Sequence, residues 1–185
     1  IMATQIQSAK IVTEEIENAA GANPYSISLS AEQTASSGTV TTVDFTSIPA
    51  GTKHITIMLV GISTDGTNDL IIQLGDATGG VETSGYTARE CAAGGSATPT
   101  ADTSGFILDN QLAAAGAADA VINLYLEDST NHTWVSMGIL QSTNASQVSV
   151  SAGAKTLSHA LDRVRVTTVA TADDFDGGVA AIQFQ

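Results

Sequence analysis

The sequence predicts an all-β fold, an antiparallel β-sandwich of the jelly-roll type, with a short N-terminal arm that is helical or extended. Three observations indicate it. About nine or ten short apolar or β-branched runs alternate with turn residues along most of the chain. The composition is 43% hydrophobic but only 14% charged, which is typical of strands and tight turns rather than of long surface helices. A helix-like pattern occurs only near the N-terminus.

Residues 1–22 are predicted to form an attachment arm, and residues 23–185 are predicted to form one sandwich domain. Within the arm, Thr13 can cap a short helix and Gly21 can end it. The alternative interpretation is a frayed terminus, because so short a helix is not stable alone. The apolar side chains that would dock the arm onto a neighbouring subunit or a larger assembly are Ile11, Val12 and Ile16.

The strongest strand pattern lies in residues 43–63, which are predicted to form the central hairpin of the domain. Pro49 fixes its own φ and Gly51 accepts a positive φ, so these residues supply the turn. The run 54–60 is apolar and β-branched, as expected for a buried strand. A turn and another apolar strand follow, so residues 54–74 are predicted to form a second hairpin that shares the central strand.

Residues 78–104 lack a sustained period and are rich in Gly, Ala, Ser and Thr, which predicts a long surface loop. Long loops in compact domains often carry binding residues. Tyr86, Arg89 and Glu90 are the candidates for contact with a polar ligand, because their side chains can stack or form hydrogen bonds. Deletion of such a loop would be expected to leave the melting temperature unchanged.

The strand pattern resumes in the second half of the chain. Residues 120–126 and 132–140 are predicted to form a hairpin, because turn residues separate two strongly apolar runs. The remaining predicted strands are 148–150, 154–157, 163–169 and 179–184.

The sequence contains little that predicts catalysis or metal binding. His54, His132 and His159 are scattered singly, without the spacing that zinc ligands usually show. The single cysteine, Cys91, excludes an internal disulfide. No enzymatic activity, metal site or cofactor is therefore predicted.

The acidic residues leave two alternatives open. Asp173, Asp174 and Asp176 form the densest acidic cluster, which is interpreted as a turn before the last strand with Phe175 anchored in the core. The alternative is a calcium-binding loop, although the spacing of an EF-hand is absent. Because a glycosidase carboxylate pair is assembled in space and not by spacing, a polysaccharide depolymerase also stays an alternative.

The charge balance restricts the partners. Six basic and 19 acidic residues give a net charge of −13. Nucleic-acid binding requires clustered Lys and Arg, so no nucleic-acid partner is predicted. Membrane insertion is not predicted either, since no apolar run approaches the roughly 20 residues of a membrane span.

A series of segments carries a resemblance to a known family. They are VDFTSIPAGTKHITIMLVGISTDGT (43–67), LIIQLGD (70–76), GVETSGY (80–86), TSGFIL (103–108), NHTWVSMG (131–138), AGAKTLSHALDRVRVTTV (152–169) and FDGG (175–178). In sequence and in order, these segments resemble a β-domain found in tail fibres and related virion proteins of tailed bacteriophages. The resemblance covers residues 41–184.

The resemblance implies a structural protein displayed on the virion surface as part of a tail fibre or a tail-tip adhesin. Its implied partners are other virion proteins, further copies of itself, most often in a trimer, and glycans of the host surface. The alternative within the same family is a capsid decoration protein or head fibre that stabilises the head. In either case residues 1–22 would attach the domain to its neighbours.

Overall fold

The computed structural model describes residues 27–35, 39–93, 98–109, 112–114, 116–143 and 147–185. Within these ranges the protein is a β-sandwich of two antiparallel sheets, as predicted, and its helical structure is limited to a 3₁₀ turn, Val169–Thr171. None of the described residues belongs to a helix long and apolar enough to cross a membrane. The predicted attachment arm, with Ile11, Val12 and Ile16, lies outside the described residues.

Fourteen strands are described. They are β1 (Ser28–Leu29), β2 (Gln33–Thr34), β3 (Thr42–Phe45), β4 (His54–Thr64), β5 (Leu70–Asp76), β6 (Gly80–Val81), β7 (Thr87–Ala93), β8 (Thr100–Asp102), β9 (Phe106–Asp109), β10 (Ala118–Asp128), β11 (Thr133–Ser142), β12 (Gln147–Thr156), β13 (Leu161–Thr168) and β14 (Phe175–Phe184). The large sheet has the order β1-β14-β4-β10-β11-β12-β7-β8, with β2 also paired to β14. The small sheet has the order β3-β13-β5-β6, with β9 also paired to β5.

The hydrophobic core lies between the two sheets. Buried and less buried side chains alternate along β4, where Ile55, Ile57 and Leu59 are at most 1% exposed. Val164 and Val166 of β13 belong to the same buried cluster from the small sheet. Burying an aliphatic side chain of this size contributes about 1.5–3 kcal/mol, so the alternation fixes which face of each strand turns inward.

The two predicted hairpins around β4 are wrong. β3 pairs with β13 in the small sheet, whereas β4 pairs with β10 and β14 in the large sheet. β5 also lies in the small sheet. The predicted turn is present, since the N–H and Oγ1 of Thr52 donate to the Pro49 carbonyl at 3.2 and 2.8 Å. It carries the chain from one sheet to the other, and β4 is flanked by strands distant from it in sequence.

The predicted surface loop at 78–104 is also wrong. This stretch contains β6, β7 and β8, and every residue of β7 pairs with β12. The inward positions of β7 are Ala88, Glu90 and Ala92, which are at most 8% exposed. Small and acidic residues at these positions hide the apolar alternation that marks other strands. Deletion would remove strands of the large sheet, so an unchanged melting temperature is no longer expected.

The predicted hairpin in the second half of the chain is confirmed. β10 and β11 pair in antiparallel register from Ala118 opposite Ser142 to Asp128 opposite Thr133. The predicted strands 148–150 and 154–157 fall largely on one continuous strand, β12. Phe175, which is fully buried, anchors the chain in the core at the start of β14, as the sequence indicated.

Candidate functional site

The outward side chains of β14, β4, β10, β11, β12 and β7, six neighbouring strands of the large sheet, form one continuous surface, which we call the outer face. Strand register aligns these side chains in rows across the large sheet. One row runs from Met58 through Val121, Ile139 and Val150 to Cys91, each residue lying opposite the next. Opposite residues of antiparallel strands have Cβ atoms about 4.5–5.5 Å apart, so the side chains of a row touch.

The outer face is unusually apolar for a surface open to water. The exposed large hydrophobic side chains of the described residues, between 39% and 67% exposed, all lie on it or beside it, on β1 and the residue before β1. Single exposed apolar residues are normal, but a contiguous group of this size marks an interaction surface. The residues are Ile27, Leu29, Val60, Val121, Tyr125, Val135, Met137, Ile139, Val148 and Val150.

The centre of the outer face carries no formal charge. Charged side chains lie at its rim, where Arg89 is exposed and Asp119 accepts hydrogen bonds from the Gly61 N–H and Gln141 Nε2, both at 2.7 Å. Contact with another apolar surface would therefore leave no charge buried at the centre. The paired stretches that contain no Asp, Glu, Lys or Arg are 54–59, 120–125, 135–140 and 149–154.

The small sheet presents a different surface. Nε and Nη2 of Arg165 donate to the two carboxylate oxygens of Asp44 at 2.7 and 2.9 Å. Arg163 makes a similar pair with Asp162 at 2.7 and 3.2 Å. Such pairs suit a surface in contact with water. The two sides of the sandwich thus differ, and the outer face is the one whose composition favours cover by a partner.

One end of the outer face is held by side-chain contacts. The rings of His54 and Tyr125 stack with centroids 4.6 Å apart and an interplanar angle of 6°. Thr56 Oγ1 donates to Asn123 Oδ1 at 2.9 Å, and His54 Nε2 lies 3.1 Å from the same oxygen. These contacts join β4 to β10 and fix the rotamers of the four side chains, so this end of the surface is preformed.

The predicted contact residue Tyr86 is a core residue, and an exposed role for it is wrong. It is 1% exposed and packs edge-on against Phe106, with ring centroids 5.0 Å apart. Its hydroxyl accepts from the Leu74 N–H at 2.6 Å and donates to the Glu82 carbonyl at 3.0 Å. Burial raises the pKa of the Tyr86 phenol, so it stays protonated and acts as an internal hydrogen-bonding group.

The other two predicted contact residues point in opposite directions. Arg89 is exposed on the outer face, so a ligand-contact role for it stays a prediction. Glu90 is 1% exposed and faces the interior. Burial raises the pKa of Glu90, and the carboxylates of Asp109 and Asp69 add to the rise. The Ser149 hydroxyl lowers the pKa of Glu90 again in part. It does not form a hydrogen bond of normal geometry with the Glu90 carboxyl.

Glu90→Gln is expected to raise stability at neutral and alkaline pH by on the order of 1 kcal/mol, or about 2–4 °C in Tm. Because the folded protein binds the Glu90 proton more tightly than the unfolded chain, wild-type stability should fall as the pH rises above 4.5, the ordinary pKa of a Glu carboxyl, and through the folded pKa. The variant should lack this part of the pH dependence. Thermal unfolding from pH 4 to pH 8 measures it, and a difference that does not vary with pH would contradict it.

The acidic turn before β14 is held together by its own hydrogen bonds. Both carboxylate oxygens of Asp173 accept from Asn68, at 2.7 Å from its N–H and 2.6 Å from Nδ2. The N–H of Asp174 donates to Asp65 Oδ1 at 2.9 Å. Within the described ranges no three His, Cys, Asp or Glu side chains are grouped so that they could hold a metal ion. These contacts favour the interpretation of the cluster as a turn that joins two loops.

The three histidines also serve separate local roles. His54 belongs to the outer face, and His159 Nδ1 lies 3.6 Å from Asp76 Oδ1. His132 has a positive φ of 57° in the turn between β10 and β11. The structure therefore does not bring the three side chains into one site.

The sequence predicts β4, β10, β11 and β12 as strands, but it does not predict β7 or the outer face itself. The available signal was that successive residues of β10 and β11 are apolar on both faces, as in Val121-Ile122 and Ile139-Leu140. Along each strand every second side chain fills the core, so the apolar side chains between them must lie on the outer face.

Comparison of the chain with protein-family models, with curated proteins and with solved structures found no match in any of the three.

Proposed function

We propose that this chain is a structural protein of a tailed-phage virion, whose β-sandwich is displayed on the particle as part of a tail fibre or tail-tip adhesin. The observation that carries the structural half of the proposal is the outer face, a broad apolar surface without charge at its centre. Contiguous apolar surfaces of this kind are typical of association with other proteins. The virion half is supported by the sequence resemblance.

A role without catalysis is supported by the way the polar side chains are used. The carboxylates of Asp76, Asp102 and Asp128 accept hydrogen bonds from N–H groups two and three residues further along the chain. Asx turns of this kind shape loops. These three side chains thus shape connections between strands.

In the adhesin role, the ligands of the protein are glycans of the host surface. Of the three residues that the sequence singled out, Arg89 lies on the surface, next to the half-buried Cys91 and the exposed Ala101. A guanidinium at the rim of an assembly can form hydrogen bonds with sugar hydroxyls or acidic sugars. Weak single contacts suffice if several copies act together.

A capsid decoration or head-fibre role is the second candidate. The same outer face favours it, because a flat apolar sheet can cover a matching surface of a capsid protein. This role predicts that particles lacking the protein lose infectivity faster on heating. The adhesin role predicts instead that such particles lose adsorption to the host.

Immunogold electron microscopy of the source virions, with antibody against the purified protein, tests the proposal. Label at the tail or its tip is the expected result. Label spread over the capsid would favour the decoration role. Particles without label, alongside a labelled positive control such as the major capsid protein, would overturn the virion assignment.

A further inference from the structure

We infer that the outer face of the large sheet is the surface through which copies of this chain associate. The inference rests on the proposed structural function and names the partner and the surface: a second copy, contacted through β4, β10, β11 and β12.

The outer face has the area that a stable interface needs. Six adjacent strands, from β14 through β4, β10, β11 and β12 to β7, span about 29 Å at a spacing of about 4.8 Å. Eight residues along a strand cover about 26 Å, which gives about 750 Å² for the face. A standard protein interface buries about 800 Å² of each partner.

The charge of the chain restricts where a second copy can bind. Two copies with a net charge of −13 each repel one another over most of their surface. The centre of the outer face is the broad region where two copies can meet without bringing carboxylates together. The aliphatic centre of the face, around Val121 and Ile139, lacks the hydrogen-bonding groups that a glycan requires, and it offers no acidic patch to a basic partner.

The shape of the outer face suits the packing of one sheet on another. A shallow depression of about 570 Å³ is bordered by the apolar side chains of Met58, Val60, Val121 and Ile139, and also by Asp119 and Gln141. Met137, which is 56% exposed, is a flexible side chain that can fill such a depression on another copy. Sheets that pack face to face bury interdigitating side chains in this way.

The test is the oligomeric state of the full chain, measured by sedimentation velocity over a range of concentrations. Val121→Glu and Ile139→Glu place a carboxylate at the centre of the face, and each is expected to weaken association on the order of 100-fold. Ala50→Glu adds the same charge at an exposed turn and should leave association unchanged. If a Glu variant does not fold, the double variant Val121→Thr/Ile139→Thr keeps β-branched side chains and should weaken association about tenfold.

A second measurement separates a partner copy from cover by the protein's own residues 1–26, which lie outside the described residues and precede Ile27 beside the face. Oxidation of Met137 by peroxide should slow as the concentration rises if copies cover it. Protection that does not depend on concentration would assign the cover to the same chain and overturn the inference.

An oligomer unaffected by the central variants would overturn the inference but leave the proposed function standing. A wild-type protein that is monomeric at every concentration in the series would overturn the inference, while the immunogold result would still decide the virion assignment.

Discussion

Replacing Lys155 by methionine is expected to lower the free energy of unfolding by about 3 kcal/mol. Lys155 lies on β12, is 6% exposed, and reaches the connection between β6 and β7. Its Nζ lies 2.5 Å from Glu82 Oε2, donates to the Ser84 carbonyl at 2.9 Å and lies 5.2 Å from the centre of the Tyr86 ring. The variant leaves a largely buried carboxylate and a carbonyl without their cation, which costs far more than the methionine side chain recovers.

The loss should depend on pH in a defined direction. Burial alone would raise the pKa of Glu82, but hydrogen bonds from Lys155 and Ser158 outweigh it, and the net pKa lies below the ordinary value of 4.5. A lowered carboxyl pKa contributes stability that is present above 4.5 and is lost as the pH falls through the folded pKa. Wild type and Lys155→Met should therefore differ most at neutral pH and converge in acid.

Urea denaturation at pH 7 and at pH 3 measures this effect, with Lys53→Met as the matched control. Lys53 is exposed, so its replacement should change the free energy of unfolding by less than about 0.5 kcal/mol. A double-mutant cycle with Glu82→Gln would isolate the coupling between the two side chains. Equal effects of Lys155→Met and Lys53→Met at pH 7 would show that the ion pair does not stabilise the fold.

The strands that the sequence predicted best are those whose inward positions are large and apolar. β4 and β11 are examples, since Ile55, Ile57 and Leu59 alternate with partly exposed residues, and Trp134 and Leu140 do the same. β7 was missed because its inward positions hold Ala88, Glu90 and Ala92. Pattern reasoning depends on the contrast between apolar and polar residues, and β7 offers almost none.

Strand pairing was less predictable than strand position. The connection between β3 and β4, residues 46–53, is long enough for the chain to cross from the small sheet to the large one. Neighbouring strands in a sequence often form hairpins, but an alternating pattern specifies only that one side of each strand is buried. Which sheet buries it depends on partners as distant as β13 and β14.

The sequence also does not predict which way the side chains of the three proposed contact residues point. Polar and aromatic residues in a Gly-rich stretch favour a binding loop, and on that ground the sequence predicts that Tyr86, Arg89 and Glu90 lie together. In the fold, the Tyr86 hydroxyl accepts a hydrogen bond from the Leu74 N–H of β5 in the small sheet, and Glu90 points inward. Arg89 and Glu90 lie on opposite faces because successive residues of a strand must. Only the assignment of β7 as a strand could have separated them.

Replacing Gly178 by alanine is expected to lower the free energy of unfolding by about 3 kcal/mol, because two separate effects add. Gly178 has a φ of +96°, in the region that favours glycine, and it lies where the pairing of β14 with β4 shifts register. A Cβ there would lie 2.5 Å from the carbonyl carbon and oxygen of Gly61 and from the Ile62 nitrogen. These are backbone atoms of a paired strand, so they cannot move aside as the end of a side chain would.

Gly51→Ala separates the two effects. Gly51 has a φ of +92°, close to that of Gly178, but a Cβ at this position would meet no atom within 4 Å. Its replacement should cost only the backbone strain, about 1–2 kcal/mol. Urea denaturation with an unchanged slope compares the variants. A loss for Gly178→Ala that exceeds the loss for Gly51→Ala would show that β4 and β14 approach too closely for a side chain, whereas equal losses would mean that the strands can separate at this bulge without further cost.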